Sequence, residues 1–182
     1  MTSAATLPQP GAALAAADHV LGDDHAKLTL LEYGDYECPA CIQLEPLMQQ
    51  LVATHGGRLR LVYRHFPLME VHPNAELAAE AAEAAAAQGR FWPMHHLLLS
   101  QGHHLTPKAL AAHAQSLGLD MNRFNAEMAD HIYTQRVQEH RRAGEASGLR
   151  ATPAVFLNGQ PVDVSFGFEK LEAAVRAALT RA

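Results

Sequence analysis

The sequence predicts an α/β fold in which a block of helices interrupts the sheet-forming parts. Three observations predict it: a strand–helix–strand pattern in the first third, a helical middle third, and a β-hairpin followed by a helix at the end. The 182 residues are the length of one domain, or of a domain that carries an insertion. We therefore expect a single sheet whose strands come from both ends of the chain.

The first part of the chain alternates between strand and helix signals. Residues 27–33 form a short apolar run bounded by polar residues, which is typical of a buried strand, and residues 59–66 repeat the pattern. Between them, residues 38–55 carry apolar side chains three and four positions apart, as one face of a helix requires. The pair Gly56-Gly57 ends this predicted helix.

The middle of the chain predicts several helices in succession. Residues 75–88 are almost entirely Ala and Glu, which are strong helix formers, and the run stops at Gly89. Thr106-Pro107 supplies an N-cap followed by proline at the first helical position. Asp120 and Gly148 bracket two further helical segments.

The last part returns to strands. Residues 154–157 and 160–164 flank the turn pair Asn158-Gly159, which predicts a β-hairpin. An amphipathic helix over residues 168–179 completes the prediction.

Charge and hydropathy exclude two classes of partner. The chain has 14 Lys and Arg against 19 Asp and Glu, a net charge of −5, and so lacks the basic surface that nucleic acid requires. No run reaches the roughly 18 to 20 apolar residues of a membrane span. Residues 1–17 contain no Lys or Arg and do not resemble a signal peptide, so we expect a cytoplasmic monomer, or a periplasmic protein if a signal has been removed.

The motif Cys38-Pro39-Ala40-Cys41 holds both cysteines of the chain, at the start of the first predicted helix. Unpaired backbone N–H groups and the helix dipole at that position favour a thiolate, so we expect a lowered pKa for Cys38. Cys41 lies one turn further on the apolar face, where it would be shielded and act as the resolving thiol. A protein of this length has enough core to fold without a disulfide, which leaves the pair available for chemistry.

Two simpler explanations of the cysteine pair are half of a zinc site and an inert structural pair. Zinc would need two further ligands, and the twelve histidines include no HxxxH spacing. The adjacent pairs His95-His96 and His103-His104 are expected to point to different helix faces. Most histidines are expected on polar faces or at helix ends, where they would only tune charge near pH 6 to 7. We therefore predict no metal site and no cofactor.

Residues around the motif resemble a known family. The stretch 32–41 at a strand-to-helix corner, with Thr152-Pro153 far along the chain, is similar to the thioredoxin superfamily, and the helical insertion is similar to its DsbA-like branch. Residues 62–68 and 91–95 resemble short bacterial DsbA-like proteins, whose domain also occurs fused to sodium/proton antiporters. The resemblance extends from about residue 20 to residue 179. It implies two halves of a thioredoxin fold at 20–68 and 149–182 and a helical insertion at 69–148. The preceding residues 1–19, which include Pro8, Pro10 and Gly11, are expected to form a flexible arm.

The resemblance also implies roles for single residues. Cys38 matches the attacking cysteine and Cys41 the resolving one, while Pro153, preceded by Thr152, matches the cis-proline that faces the sulfurs and binds substrate. Glu32 matches a buried carboxylate that passes protons to the resolving thiol. The alternative for Glu32 is a strand residue turned to solvent.

The dipeptide between the cysteines departs from the strongly oxidising members of the branch. Those members have His there, whereas this chain has Pro39 and Ala40, which would face the substrate without stabilising the thiolate. The predicted activity is thiol–disulfide exchange with protein substrates and an unidentified redox partner. The alternatives are a glutathione-dependent isomerase or transferase, against which Cys41 argues, and a chaperone or interaction module with a vestigial motif.

Overall fold

A computed structural model of the chain describes Ala15 and residues 17–102 and 104–181. In this part of the chain, five strands and seven helices follow one another. They are β1 His19–Leu21, β2 Leu28–Gly34, α1 Pro39–His55, β3 Leu59–His65, α2 Ala75–Ala86, α3 Phe91–Ser100, α4 Pro107–Ser116, α5 Met121–Ala129, α6 Thr134–Ala146, β4 Ala154–Leu157, β5 Gln160–Val162 and α7 Glu169–Arg181.

The strands form one sheet in the order β1-β3-β2-β4-β5. The parallel pair β2 and β3 is joined by the crossover helix α1, whereas the other neighbours pair antiparallel. Tyr33, near the end of β2, is opposite Ala154 at the start of β4. Because these strands are antiparallel, the residues just after β2 and just before β4 lie at the same edge of the sheet.

The two faces of the sheet pack against different helices. Leu28 and Leu30 of β2 share a core with Leu44 and Met48 of α1 and with the apolar face of α7. Tyr33 lies on the opposite face, where it packs with other large side chains in a separate cluster. Side chains alternate between faces along a strand, so Glu32 is on the same face as Leu30 and is directed toward α1.

The helical block α2–α6 lies between β3 and β4 in the chain and has its own core. Caps at two of its helix starts agree with the predicted boundaries: the Thr106 hydroxyl accepts from the Ala109 N–H at 3.3 Å, and the Asp120 carboxylate accepts from the Asn122 N–H at 3.0 Å.

In the described residues, no helix is long and apolar enough to cross a bilayer. The α/β fold with a helical insertion is therefore confirmed.

Strand β1 is the element that the sequence did not predict. His19 was assigned to the arm at 1–19, whereas it begins β1 and pairs with Tyr63 of β3. Asp18, one residue earlier, forms an ion pair of 2.7 Å with Arg64. Residues 1–14 and 16 of the predicted arm lie outside the described residues.

Candidate active site at the start of helix α1

Cys38 lies at the N-cap position of α1, at the edge of the sheet where β2 ends and β4 begins. Its backbone N–H donates to the Asp35 carbonyl at 3.1 Å, and its thiol donates to the Thr152 carbonyl at 3.4 Å. The side chain is 6% exposed, and both cysteines are free thiols. The first sulfur of the motif is thus held against the loop that precedes β4.

The two sulfurs have opposite pKa shifts. A hydrogen bond from the Cys41 side chain, together with hydrogen bonds from the backbone N–H groups of Ala40 and Cys41, lowers the pKa of Cys38 to about 5 in spite of burial. Burial raises the pKa of Cys41 well above its usual value, and its hydrogen bond to Cys38 and the charge of Glu32 raise it further. At neutral pH, Cys38 is therefore the thiolate and Cys41 the thiol.

Glu32 is buried behind the cysteines. Its side chain is 1% exposed, and neither carboxylate oxygen has a hydrogen-bond partner among the described residues. Burial raises its pKa well above the usual value, as do the negative charges of Glu45 and Cys38. The alternative of a solvent-facing strand glutamate is therefore wrong.

Gly34, two residues after Glu32 in β2, leaves room for this carboxylate. A Cβ at Gly34 would lie 3.0 Å from Glu32 Oε1 and 2.7 Å from the Tyr63 hydroxyl oxygen. The missing side chain thus lets the Tyr63 ring and the Glu32 carboxylate approach the backbone of β2.

The remaining predicted residues lie around Cys38. The peptide bond between Thr152 and Pro153 is cis, and both side chains are half-buried at the start of β4. Pro39 is the first residue of α1 and is exposed, whereas Ala40 is half-buried against the core of the helical block. Together with Cys38, these residues offer a partly exposed surface beside the sulfur.

Two acidic residues just before the motif hold the corner between β2 and α1. The buried Asp35 carboxylate accepts from the Leu68 N–H and contacts His72 Nδ1, each at 2.8 Å. Glu37 accepts from the Asn74 N–H at 2.7 Å. These contacts fix the corner to the segment that follows β3. Asp35 and Glu37 have no role among the predicted site residues, although two acidic residues directly before the motif are a usable signal.

One prediction about the histidines is wrong. Most of the described histidines are not fully buried, as expected, and His65 and His95 are the buried exceptions among them. His95 and His96, expected to face apart, both contact the carboxylate of Glu45 on α1, with His95 Nε2 at 3.3 Å. Their common partner lies about fifty residues earlier in the chain, which no local spacing could reveal.

Comparison with known proteins supports the family expected from the sequence. A profile of the thioredoxin family matches residues 15–177. The Na(+)/H(+) antiporter NhaA 1 of Salinispora arenicola is 45% identical over 161 residues, which cover 88% of this chain and 24% of the relative. NhaA 3 of Salinispora tropica is 43% identical, over 91% of this chain and 25% of the relative. The chain thus spans about a quarter of the length of these curated relatives.

Solved structures show the same fold. The oxidised BdbD of Bacillus subtilis superposes with a TM-score of 0.79 at 20% identity, covering 88% of this chain and 92% of that one. A thioredoxin-like oxidoreductase of Silicibacter pomeroyi gives 0.78 at 26% identity, over 96% and 95%. MdbA of Actinomyces oris, a thiol-disulfide oxidoreductase, gives 0.76 at 21% identity, over 94% and 96%.

Proposed function

Because the chain belongs to the thioredoxin family, we propose that it is a thiol–disulfide oxidoreductase acting on protein disulfides through Cys38 and Cys41. The observation that carries the proposal is the asymmetry of the two sulfurs. The pKa of Cys38 is lowered to about 5 at a helix start next to the exposed Pro39, whereas burial raises that of Cys41. An attacking thiolate and a shielded resolving thiol need this difference.

In the proposed first step, the Cys38 thiolate attacks one sulfur of a client disulfide. A bond forms between Cys38 Sγ and that sulfur, the client disulfide breaks, and the other client sulfur leaves as a thiolate. The hydrogen bond from Cys41 stabilises the thiolate before attack. The product is a mixed disulfide between the chain and its client.

In the second step, Cys41 loses its proton to Glu32 and attacks Cys38 Sγ. The Cys38–Cys41 disulfide forms, and the bond between Cys38 Sγ and the client sulfur breaks. That client sulfur leaves as a thiolate, so the client is reduced and the chain is oxidised. Glu32 is suited to this role because its raised pKa lets the carboxyl hold the proton that it accepts. The same steps in reverse would oxidise a client dithiol.

The client segment is proposed to dock beside Cys38, on Thr152, Pro153, Pro39 and Ala40. Cys38 Sγ is 3.4 Å from the Thr152 carbonyl oxygen, so a client sulfur bonded to Cys38 must lie next to this loop. An extended client can pair with the backbone that leads into β4. Backbone pairing places few demands on sequence, which suits an enzyme with many protein clients.

Reduction or isomerisation of clients in a reducing compartment is the direction we propose. The only two cysteines of the chain form the reacting pair, so the fold has no structural disulfide to lose in a cytoplasm-like environment. A separate dithiol protein or small thiol would then regenerate the reduced pair, and the chain would act as a monomer. Ion transport is not part of the proposal, because the antiporter names describe proteins about four times as long.

Insulin reduction by dithiothreitol tests the proposal. The wild-type chain should accelerate precipitation of the insulin B chain, and Cys38→Ser should abolish the acceleration. Equal rates for the two proteins would indicate a vestigial motif and a chaperone or interaction role. Full activity of Cys41→Ser with glutathione alone would instead support the glutathione-dependent alternative.

A further inference from the structure

A second cluster of reactive side chains lies behind the active site, between α1 and α3. Glu45 is one turn after Cys41 on α1, and His95 and His96 come from α3. His95 Nε2 is 3.3 Å from Glu45 Oε2, and His96 Nδ1 contacts Oε1 of the same carboxylate. One ligand atom from each of the three residues lies within 4.8 Å of the others. The mechanism proposed above uses none of these imidazoles.

The neighbours of the cluster orient its nitrogens and oxygens. The Tyr36 hydroxyl is 3.1 Å from His95 Nδ1, which fixes the ring so that Nε2 is directed toward Glu45. The Gln49 amide nitrogen is 2.7 Å from Glu45 Oε1 and 3.1 Å from His96 Nδ1, so it can donate to either atom. One nitrogen of each imidazole therefore lies against the same carboxylate.

We propose that Glu45, His95 and His96 bind a divalent transition-metal ion, with Zn²⁺ as the preferred ion. A tetrahedral Zn²⁺ with bonds of about 2.0 to 2.1 Å holds its ligand atoms about 3.3 Å apart, which matches the distance between His95 Nε2 and Glu45 Oε2. His96 Nδ1 is closer than this to Oε1, so the partly exposed His96 side chain must move outward to bind the ion. Two imidazoles and a carboxylate favour Zn²⁺ over Mg²⁺ or Ca²⁺, which prefer oxygen ligands. Tyr36 would then orient His95 through its Nδ1, and Gln49 would hold the Glu45 carboxylate by donating to Oε1.

The site is open on one side. His95 is fully buried and Glu45 is 5% exposed, whereas the side chain of His96 is 31% exposed. An ion bound there has three protein ligands and reaches solvent past His96, which leaves the fourth position for water. Three protein ligands with an open position are typical of zinc sites that exchange a water or an exogenous ligand.

A second group of two histidines and one glutamate serves as a comparison for the proposed site. Its members, His19, His65 and Glu83, also bring their ligand atoms together. In that group, however, the Arg136 guanidinium lies 2.8 Å from Glu83 and 3.4 Å from His19 Nε2. A fixed cation already neutralises this carboxylate, so we expect the group around Glu83 to reject a metal ion.

Calorimetric titration of Zn²⁺ into the full chain tests the site, in a Cys38→Ser/Cys41→Ser background that prevents chelation by the thiols. We expect one ion per chain. His96→Ala removes a partly exposed ligand with little risk to folding and should weaken binding by at least about tenfold, as should Glu45→Gln. The matched variants His19→Gln, in the group with Arg136, and His25→Ala, an exposed histidine, should bind Zn²⁺ as the background protein does.

Three results would overturn the proposal. The first is that the background protein does not bind Zn²⁺, and the second is that His96→Ala leaves the Zn²⁺ affinity unchanged. The third is that His25→Ala loses as much affinity as His96→Ala, which would indicate adventitious binding to surface histidines. Co²⁺ absorption provides a second readout, because a tetrahedral site gives intense visible bands and a hydrated surface ion does not. Loss of these bands in His96→Ala with unchanged circular dichroism would separate lost ligation from lost folding. Because neither readout involves disulfide exchange, failure here would leave the proposed oxidoreductase activity untouched.

Discussion

At the scale of single residues, the local surroundings give two identical thiols different chemistry. Cys38 has the unpaired N–H groups of a helix start and a hydrogen bond from Cys41, whereas Cys41 is fully buried near the carboxylate of Glu32. Stabilisation of the charged form lowers one pKa, and loss of water raises the other. The proposed division between attacking and resolving thiol follows from these surroundings.

Glu32→Gln should slow resolution of the mixed disulfide with little change in the fold. The amide has nearly the same shape but cannot take the Cys41 proton, and burial already raises the pKa of Cys41 well above its usual value. Positioned proton acceptors contribute about 10²- to 10⁴-fold in rate. We expect the mixed disulfide to accumulate in stopped-flow and acid-quench experiments. An unaltered resolution rate would remove Glu32 from the mechanism.

Ala40→His should raise the reduction potential. A pKa of about 5 for Cys38 lies between the values of about 7 for thioredoxin and about 3.5 for DsbA, so we expect a potential in the interval from about −180 to −270 mV. One added contact to the thiolate, at about 1.5–3 kcal/mol, corresponds to about 30 to 60 mV. Equilibration in glutathione buffers measures both proteins. A wild-type value near −120 mV would show that the helix start alone stabilises the thiolate.

Residue roles could be predicted where the chemistry is local in sequence. Cys38 and Cys41 are in one motif, and the resemblance around them suggested Glu32 and Pro153. The cluster of Glu45, His95 and His96 could not be predicted, because its ligands come from two helices and the two histidines are adjacent rather than a turn apart.

At the scale of elements, small residues set how closely helices approach the sheet. Gly144 of α6 lies against the sheet, where a Cβ would be 2.7 Å from the Phe66 ring and 3.3 Å from the Tyr33 ring. Both rings are buried, so neither can move aside easily. The helix can occupy this position only without a side chain at Gly144.

Gly144→Ala should therefore destabilise the protein although alanine is the better helix former. The gain in helix propensity is about 0.8 to 1 kcal/mol, whereas overpacking a core costs about 1 to 3 kcal/mol. We expect the free energy of unfolding to fall by about 1 kcal/mol in urea titrations. Gly57→Ala is the control, since a Cβ there meets nothing within 4 Å. Equal stability of the two variants would contradict the close contact.

The lengths of most elements were predicted to within about two residues, because caps, glycines and apolar spacing act locally. Strand β1 was missed because three residues are too short for a periodic signal. It is held by pairing with β3 and by the Trp92 indole, which donates to the Val20 carbonyl at 2.9 Å. Both are tertiary contacts that no local pattern contains.

At the scale of the whole molecule, the sheet order brings distant parts of the chain together at the site. Cys38 and Thr152 are 114 positions apart, and their contact depends on the antiparallel pairing of β2 with β4. The predicted order of elements implied that the two halves share a sheet. The register, with Tyr33 opposite Ala154, required the structure.

The half-buried His140 should make the whole molecule less stable in acid. Burial, with the charges of His65 and Arg136, lowers the pKa of His140 to about 3 from an ordinary 6.5. Between these values the unfolded chain binds a proton at this residue and the folded chain does not, so stability falls as the pH falls from 6.5 toward 3. The contribution of His140 is at most about 1.4 kcal/mol per pH unit. Urea titrations of wild type and His140→Gln from pH 7 to pH 4 should show a shallower loss in the variant, and equal slopes would contradict the shift.

Alkylation of the reduced protein across pH tests the central claim most directly, because it reads out the difference between the two sulfurs. Iodoacetamide labelling with mass mapping should modify Cys38 with an apparent pKa near 5, while Cys41 stays protected in the folded chain. The Cys41→Ala variant provides the control, and its Cys38 should react with a higher apparent pKa because alanine cannot donate the hydrogen bond that Cys41 supplies. Preferential modification of Cys41, or an apparent pKa for Cys38 near the 8.5 of free cysteine, would contradict the account.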